Sequence, residues 1–167
     1  MEKMAAMLPS ERSYLKTGVF STFKQRIPWL LLLMISATFT SMIITNFEGY
    51  IRALAGGAVL IAFIPMLTDT GGNAGSQASV SVIRGLALGD IELRDWFRVL
   101  WKEIRVAAIC GITLASCNFV KLLLIDRMLL HNYDVTPLIA LIVCLTLLAA
   151  VLIAKIVGCL LPLLAKR

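Results

Sequence analysis

Asp69, Gly72, Asn73 and Ser76 fall at i, i+3, i+4 and i+7, the spacing that gathers four residues on one face of an α-helix. Together they offer a carboxylate, an amide oxygen, a hydroxyl and, at the glycine, close approach to the backbone. These are hard oxygen donors, which suit Mg²⁺ or Ca²⁺ better than soft metals. Mg²⁺ sheds its waters reluctantly and is usually held through one or two carboxylates, so a roomy polar face with a single acid fits a partly hydrated ion. Thr70 and Gln77 stand beside this face and extend the set of candidate contacts.

The setting of these residues makes them unusual. The block Pro65 to Gln77 follows an apolar run from Ile51 and precedes the mostly apolar Val80 to Leu88. Polar groups at membrane depth are tolerated only where they are buried in protein or line a water-filled cavity. The residues by themselves leave two explanations open. Gly71 and Gly75 form a small-xxx-small pattern, for which the polar groups would be interhelical glue; this is the plainer reading. An ion path is the other, since intramembrane ionisable residues are functional by default.

Composition fixes the class of the elements that must hold this block. Of 167 residues, 59% are hydrophobic and 16% charged, with a mean hydropathy of +0.89, which excludes a water-soluble globular domain. The expected fold is an all-α integral membrane domain: four transmembrane helices, the second polar, glycine-rich and kinked, with short interfacial helices. The formal net charge of +6 is carried by Lys and Arg beside the hydrophobic segments, so it reads as a topology signal and not as a nucleic-acid surface. Cys110, Cys117, Cys144 and Cys159 lie in apolar stretches without metal-ligand spacing and read as free thiols. His131 stands alone in a polar loop, without the companion ligands a metal site needs. No HExxH or GxSxG is present, and no histidine is placed to activate a hydroxyl, so enzyme chemistry is not expected.

In chain order, residues 1–27 are expected to form a cytosolic linker or an interfacial helix, because Leu15, Val19 and Phe23 recur on one side with Arg12, Lys16 and Lys24 elsewhere. Residues 28–167 form the transmembrane domain. Pro28 and Trp29 should open the first span, running to about Phe47. Glu48 and Gly49 read as a short turn. The second span starts near Tyr50 and, if continuous to Leu88, is too long for a simple crossing, so Pro65 with Gly71 and Gly72 should tilt or kink it. Asp90 is the expected N-cap of the next helix. The stripe Trp96, Phe97, Leu100, Trp101 and Ile104 reads as an interfacial helix leading into a third span, about Val106 to Ile125, in which Asn118 should make an interhelical hydrogen bond. Asp126 to Asp134 is the next loop. Pro137 opens a fourth span ending near Leu164, and Lys155 inside it should snorkel or pair with an acid. Basic residues flank the first span, fill the second loop and end the chain, which places both termini in the cytoplasm of a multi-pass protein of the cell membrane.

The run PMLTDTGGNAGSQAS, continued by Val82-Ile83-Arg84-Gly85-Leu86-Ala87-Leu88-Gly89-Asp90, resembles the signature of the membrane domain of MgtE-type magnesium transporters. Further similarity lies in Arg26-Ile27-Pro28-Trp29-Leu30, in Phe47-Glu48, and in Ala154 to Pro162. The resemblance implies a homodimeric channel or transporter for Mg²⁺ as the transported ion, with the second span lining the pore. It implicates Asp69, Gly72 and Ser76, with Asn73 beside them; some family members carry glycine at the position of Asp69. It also implies cytosolic magnesium-sensing domains upstream and a fifth span downstream that supplies an acidic pore residue, so the chain is expected to be part of a longer protein. The alternative is a structural membrane domain that dimerises through Gly71 and Gly75.

Overall fold

The computed structural model describes residues 18–54 and 56–165. Residues 1–17 of the expected linker or interfacial helix, and the terminal Lys166 and Arg167, lie outside the described residues. All regular structure among those described is helical: α1 (Val19–Arg52), α2 (Gly57–Ala62), α3 (Ile64–Leu88), α4 (Trp96–Lys121) and α5 (Pro137–Ala165). A short 3₁₀ turn, Leu93–Asp95, leads into α4, and a π-helical segment, Leu122–Leu129, continues it.

Three stretches are long and apolar enough to cross a membrane: Val19–Arg52, Leu93–Leu129 and Pro137–Ala165. The 25-residue α3 has the length of a span, but its polar block keeps it out of that set. It nevertheless lies alongside α5 for most of its length. Leu67 and Ala74 pack with Leu147 and Val151 towards one end. Val82 and Leu86 pack with Cys159 and Leu163 towards the other. The two helices are therefore parallel, and α3 occupies the depth of a helix apolar enough to span.

α5 is the central element, with α3 along one side and α4 along another. A third cluster, built on Leu122, Val135, Ile139, Ala140 and Val143, joins the start of α5 to the end of α4 and to α2. The α3–α5 crossing is close because small residues meet on both sides. A Cβ on Gly75 would come within 2.9 Å of the Ala154 carbonyl oxygen, and Gly158 backs onto the carbonyl of Gly75. Close backbone approach through small residues is how helices associate where lipid gives no hydrophobic drive.

Several expected boundaries move. α1 is already helical at Val19 and contains Pro28 in its interior, because residues 19–27 hold no breaker; the proline there removes one helical hydrogen bond without ending the helix. No turn forms at Glu48–Gly49. Arg52 Nε donates to Glu48 Oε1 at 2.8 Å across one helical turn, and the helix ends after Arg52 instead. Gly56 takes a left-handed φ of 78° in the connection to α2, a conformation that glycine adopts without strain. The break before α3 falls at Phe63, whose N–H bonds to Leu60 O, with Pro65 in the first turn of α3. Helix capping before α4 is reciprocal between Glu92 and Asp95 and does not use Asp90. The aromatic stripe from Trp96 runs straight into the third stretch, because α4 is unbroken to Lys121. Asp126 lies in the π-helical continuation, not in the loop, and its Oδ2 sits 2.9 Å from Lys121 Nζ, five residues back.

α1 buries none of its residues against the rest of the chain. It exposes Leu30 to Ile35, Phe39, Met42 and Phe47. A helix apolar all round without buried residues is suited to lipid as its solvent.

Candidate functional site

The helical spacing read from the sequence is realised in α3, which divides its residues between two faces. Gly71, Ala74, Ala78, Val82 and Leu86 are buried. Asp69, Gly72, Asn73 and Ser76 are all exposed, on the face turned away from α5. The structure thus brings the four predicted residues together on one outward surface, and places Gly71 and Gly75 on the side that meets α5 of the same chain. Gln77 is exposed and Thr70 half-buried, at the edge facing α4.

Local hydrogen bonds set what this face presents. Asn73 Nδ2 donates to Asp69 Oδ2 at 3.1 Å, one helical turn away, which turns the amide oxygen of Asn73 and the second carboxylate oxygen of Asp69 outward as acceptors. Thr70 Oγ1 donates to Met66 O at 2.8 Å, and Thr68 Oγ1 to Ile64 O and Pro65 O, each at 3.0 Å. Their hydrogens are spent on the backbone, so their remaining capacity is as acceptors. An acceptor-rich surface with one carboxylate favours a cation or the hydrogens of its bound water.

Gly72 differs from the packing glycines. Among the described residues no atom lies within 4 Å of the position a Cβ would take there. Glycine costs a helix about 0.8–1 kcal/mol relative to alanine, and at this position no neighbour in the chain requires its smallness.

Among the described residues no group of three or more His, Cys, Asp or Glu could hold a metal ion. Any ion at the α3 face therefore meets one carboxylate and neutral oxygens, which suits loose contact with a hydrated ion better than a dehydrated cage. His131 is exposed in its loop, with its ring edge-on to Tyr133. All four cysteines are free; Cys144 and Cys159 are buried and Cys117 is exposed. Asn118 Nδ2 reaches Cys144 Sγ at 3.7 Å, a link between α4 and α5 as expected.

The sequence missed one element. Lys155 of α5 is only 5% exposed, and its Nζ stands 3.9 Å from Glu103 Oε2 of α4. Pairing with an acid was expected, but nothing in the pattern selected Glu103 from among the acids. Beside Lys155, α3 and α4 diverge around a cavity of about 470 Å³ that also takes in Thr70, Asn73, Cys110 and Thr113. The residues from α4 carried no sequence signal, because a hydroxyl or thiol in an apolar helix is common and its facing partner lies on another helix.

Residues 64–167 match the family model of MgtE, described as a divalent cation transporter. The chain is 33% identical over its whole length to the magnesium transporter MgtE of Thermus thermophilus, of which it covers 34%. It is 25% identical over 86% of its length to the magnesium transporter MgtE of Enterococcus faecalis, covering 29% of that protein. It is 28% identical over 62% of its length to the Bacillus subtilis magnesium transporter MgtE, covering 23% of it. The chain thus spans about a third or less of the length of these curated relatives.

Proposed function

The chain belongs to the MgtE family of divalent cation transporters, and we propose that it carries Mg²⁺, partly hydrated, across the membrane along the outward face of α3. The observation that carries this reading is the exposure of Asp69, Gly72, Asn73 and Ser76 on a helix whose opposite face is packed against an apolar span. Lipid cannot solvate that surface, so water and an ion, or another protein wall, must.

Each residue has a distinct part. Asp69 supplies the charge that draws a divalent cation to the face. Asn73 Oδ1 and the Ser76 hydroxyl accept hydrogen bonds from the ion's water shell. Gly72 leaves room for the shell to approach the backbone. With one carboxylate the attraction is strong enough for entry and weak enough for release, the balance that conduction needs. No bond is made or broken, so this is transport and not enzyme chemistry.

A second copy of the chain is the proposed opposite wall, giving a homodimer in which two α3 faces enclose the path. α3 is the proposed second of four crossings, and the distribution of loop charges supports the reading that both ends of the domain face the cytoplasm of a cell-membrane protein. Sensor domains and a further span from the rest of a longer protein belong to the same proposal.

The test is Mg²⁺ uptake into proteoliposomes by Asp69→Asn and Asn73→Leu. Both should insert and assemble as the parent does and transport less. Parental uptake by both variants would remove this face from the ion path.

A further inference from the structure

The cavity between α3 and α4 is lined largely by apolar side chains, among them Ile109, Leu114 and Val151, with a few polar groups set between them. Thr70 Oγ1 donates to Met66 O, Thr113 Oγ1 donates to Ile109 O at 2.9 Å, and Asn73 Nδ2 donates to Asp69. The two threonine oxygens therefore offer lone pairs, and Asn73 offers its amide oxygen beside one N–H still free, groups that a mobile cation's water could meet. Yet the cavity already has a cation. Lys155 lines it while only 5% exposed, and its Glu103 partner, at 3.9 Å, is beyond hydrogen-bond length. A buried ammonium held so loosely needs further solvation, which water and the few oxygens set in the cavity wall can give. Neither Glu103 nor Asp69, which is held by Asn73, lines the cavity, so the charge that reaches its wall among the described residues is the positive one of Lys155.

We propose that Lys155 is a tethered cation that fills the place of a mobile one: it neutralises Glu103 and keeps divalent ions out of a hydrated cavity that would otherwise trap them beside α3. Through Asn73, which borders both surfaces, this confines a cation to the outward face. The inference rests on the proposed transport reading only for the identity of the excluded ion.

Cys110 lines the same cavity and reports its hydration and its sign without any mutation. The full-length protein in proteoliposomes is treated with methanethiosulfonate reagents of similar size, one bearing a quaternary ammonium and one a sulfonate. Modification of Cys110 is followed by peptide mass spectrometry, with rates referred to a free thiol. The sulfonate should react faster in the parent protein and in Lys155→Arg, and the preference should reverse in Lys155→Gln by at least about tenfold, given one unit charge removed at short range. Mn²⁺, read by electron paramagnetic resonance, should gain a bound population in Lys155→Gln and lose it again in Lys155→Gln/Glu103→Gln. A Cys110 inert to both reagents would make the cavity dry and overturn the proposal. Faster reaction with the ammonium reagent in the parent would overturn the assigned sign, a result that does not depend on any variant folding. Loss of the Asp69 and Asn73 uptake effects with the Cys110 pattern intact would instead fault the transport path and leave Lys155 as assigned.

Discussion

Gly158 of α5 backs onto the carbonyl oxygen of Gly75 of α3 so closely that a Cβ at Gly158 would have to displace a helix backbone. The two helices are locked at this point, and the lock orients the polar face of α3. Gly158→Ala and Gly75→Ala should each destabilise the protein by about 1–3 kcal/mol through overpacking. Gly71→Ala should be tolerated, because its Cβ would meet Ala150 and Ala154 at an ordinary 3.9 Å. Thermal unfolding in detergent, followed by the loss of the folded peak in size-exclusion chromatography, separates the two outcomes.

Gly72→Ala tests the opposite surface. With open space around the added methyl and a better helix former in place, the variant should be as stable as the parent or more so, by up to about 1 kcal/mol. Mg²⁺ uptake should nevertheless fall, because the methyl stands where the hydrated ion is proposed to approach. Unchanged uptake would show that the outward backbone plays no part.

Asp69→Asn keeps the shape of the side chain and its partnership with Asn73 while removing the charge. Even at the dielectric constant of bulk water, a divalent ion about 6 Å from a carboxylate gains about 1.4 kcal/mol, or about tenfold in affinity. The concentration of Mg²⁺ giving half-maximal uptake should rise by at least that factor, with less effect on the maximal rate. A fall in maximal rate alone would contradict an attraction role.

Orientation is checked by single cysteines placed at Leu54, His131 and Asp90. The first two follow α1 and α4, and all three lie in exposed connections. A membrane-impermeant maleimide should label Leu54→Cys and His131→Cys from outside intact cells, and Asp90→Cys only after permeabilisation. Labelling of Asp90→Cys in intact cells would invert the topology.

Asn118→Leu removes the donor to Cys144 Sγ. A thiol is a weak acceptor, and intramembrane side-chain hydrogen bonds average about 0.6 kcal/mol. The variant should lose less than about 1 kcal/mol of stability and keep its uptake. A larger loss would give Asn118 a role that its single observed bond does not explain.

The sequence by itself determined what depends on hydropathy, spacing and local propensity. The membrane class follows from composition, α5 from an unbroken apolar run opened by Pro137, and the common face of Asp69, Gly72, Asn73 and Ser76 from the helical repeat alone. Helix ends were less legible: α1 passes Glu48 and Gly49 because an Arg52–Glu48 pair supports one more turn, and its end is set where Gly57 comes against the carbonyl of Ile51. Only the tertiary structure decided which way the polar face points. That outcome depends on Ala154 and Gly158, some eighty residues further on, being small enough to take the backbone of Gly75, and no window around the polar block contains that information. The pairing of Lys155 with Glu103 is of the same kind, since a buried charge demands a partner but its own helix does not say which neighbour will supply one.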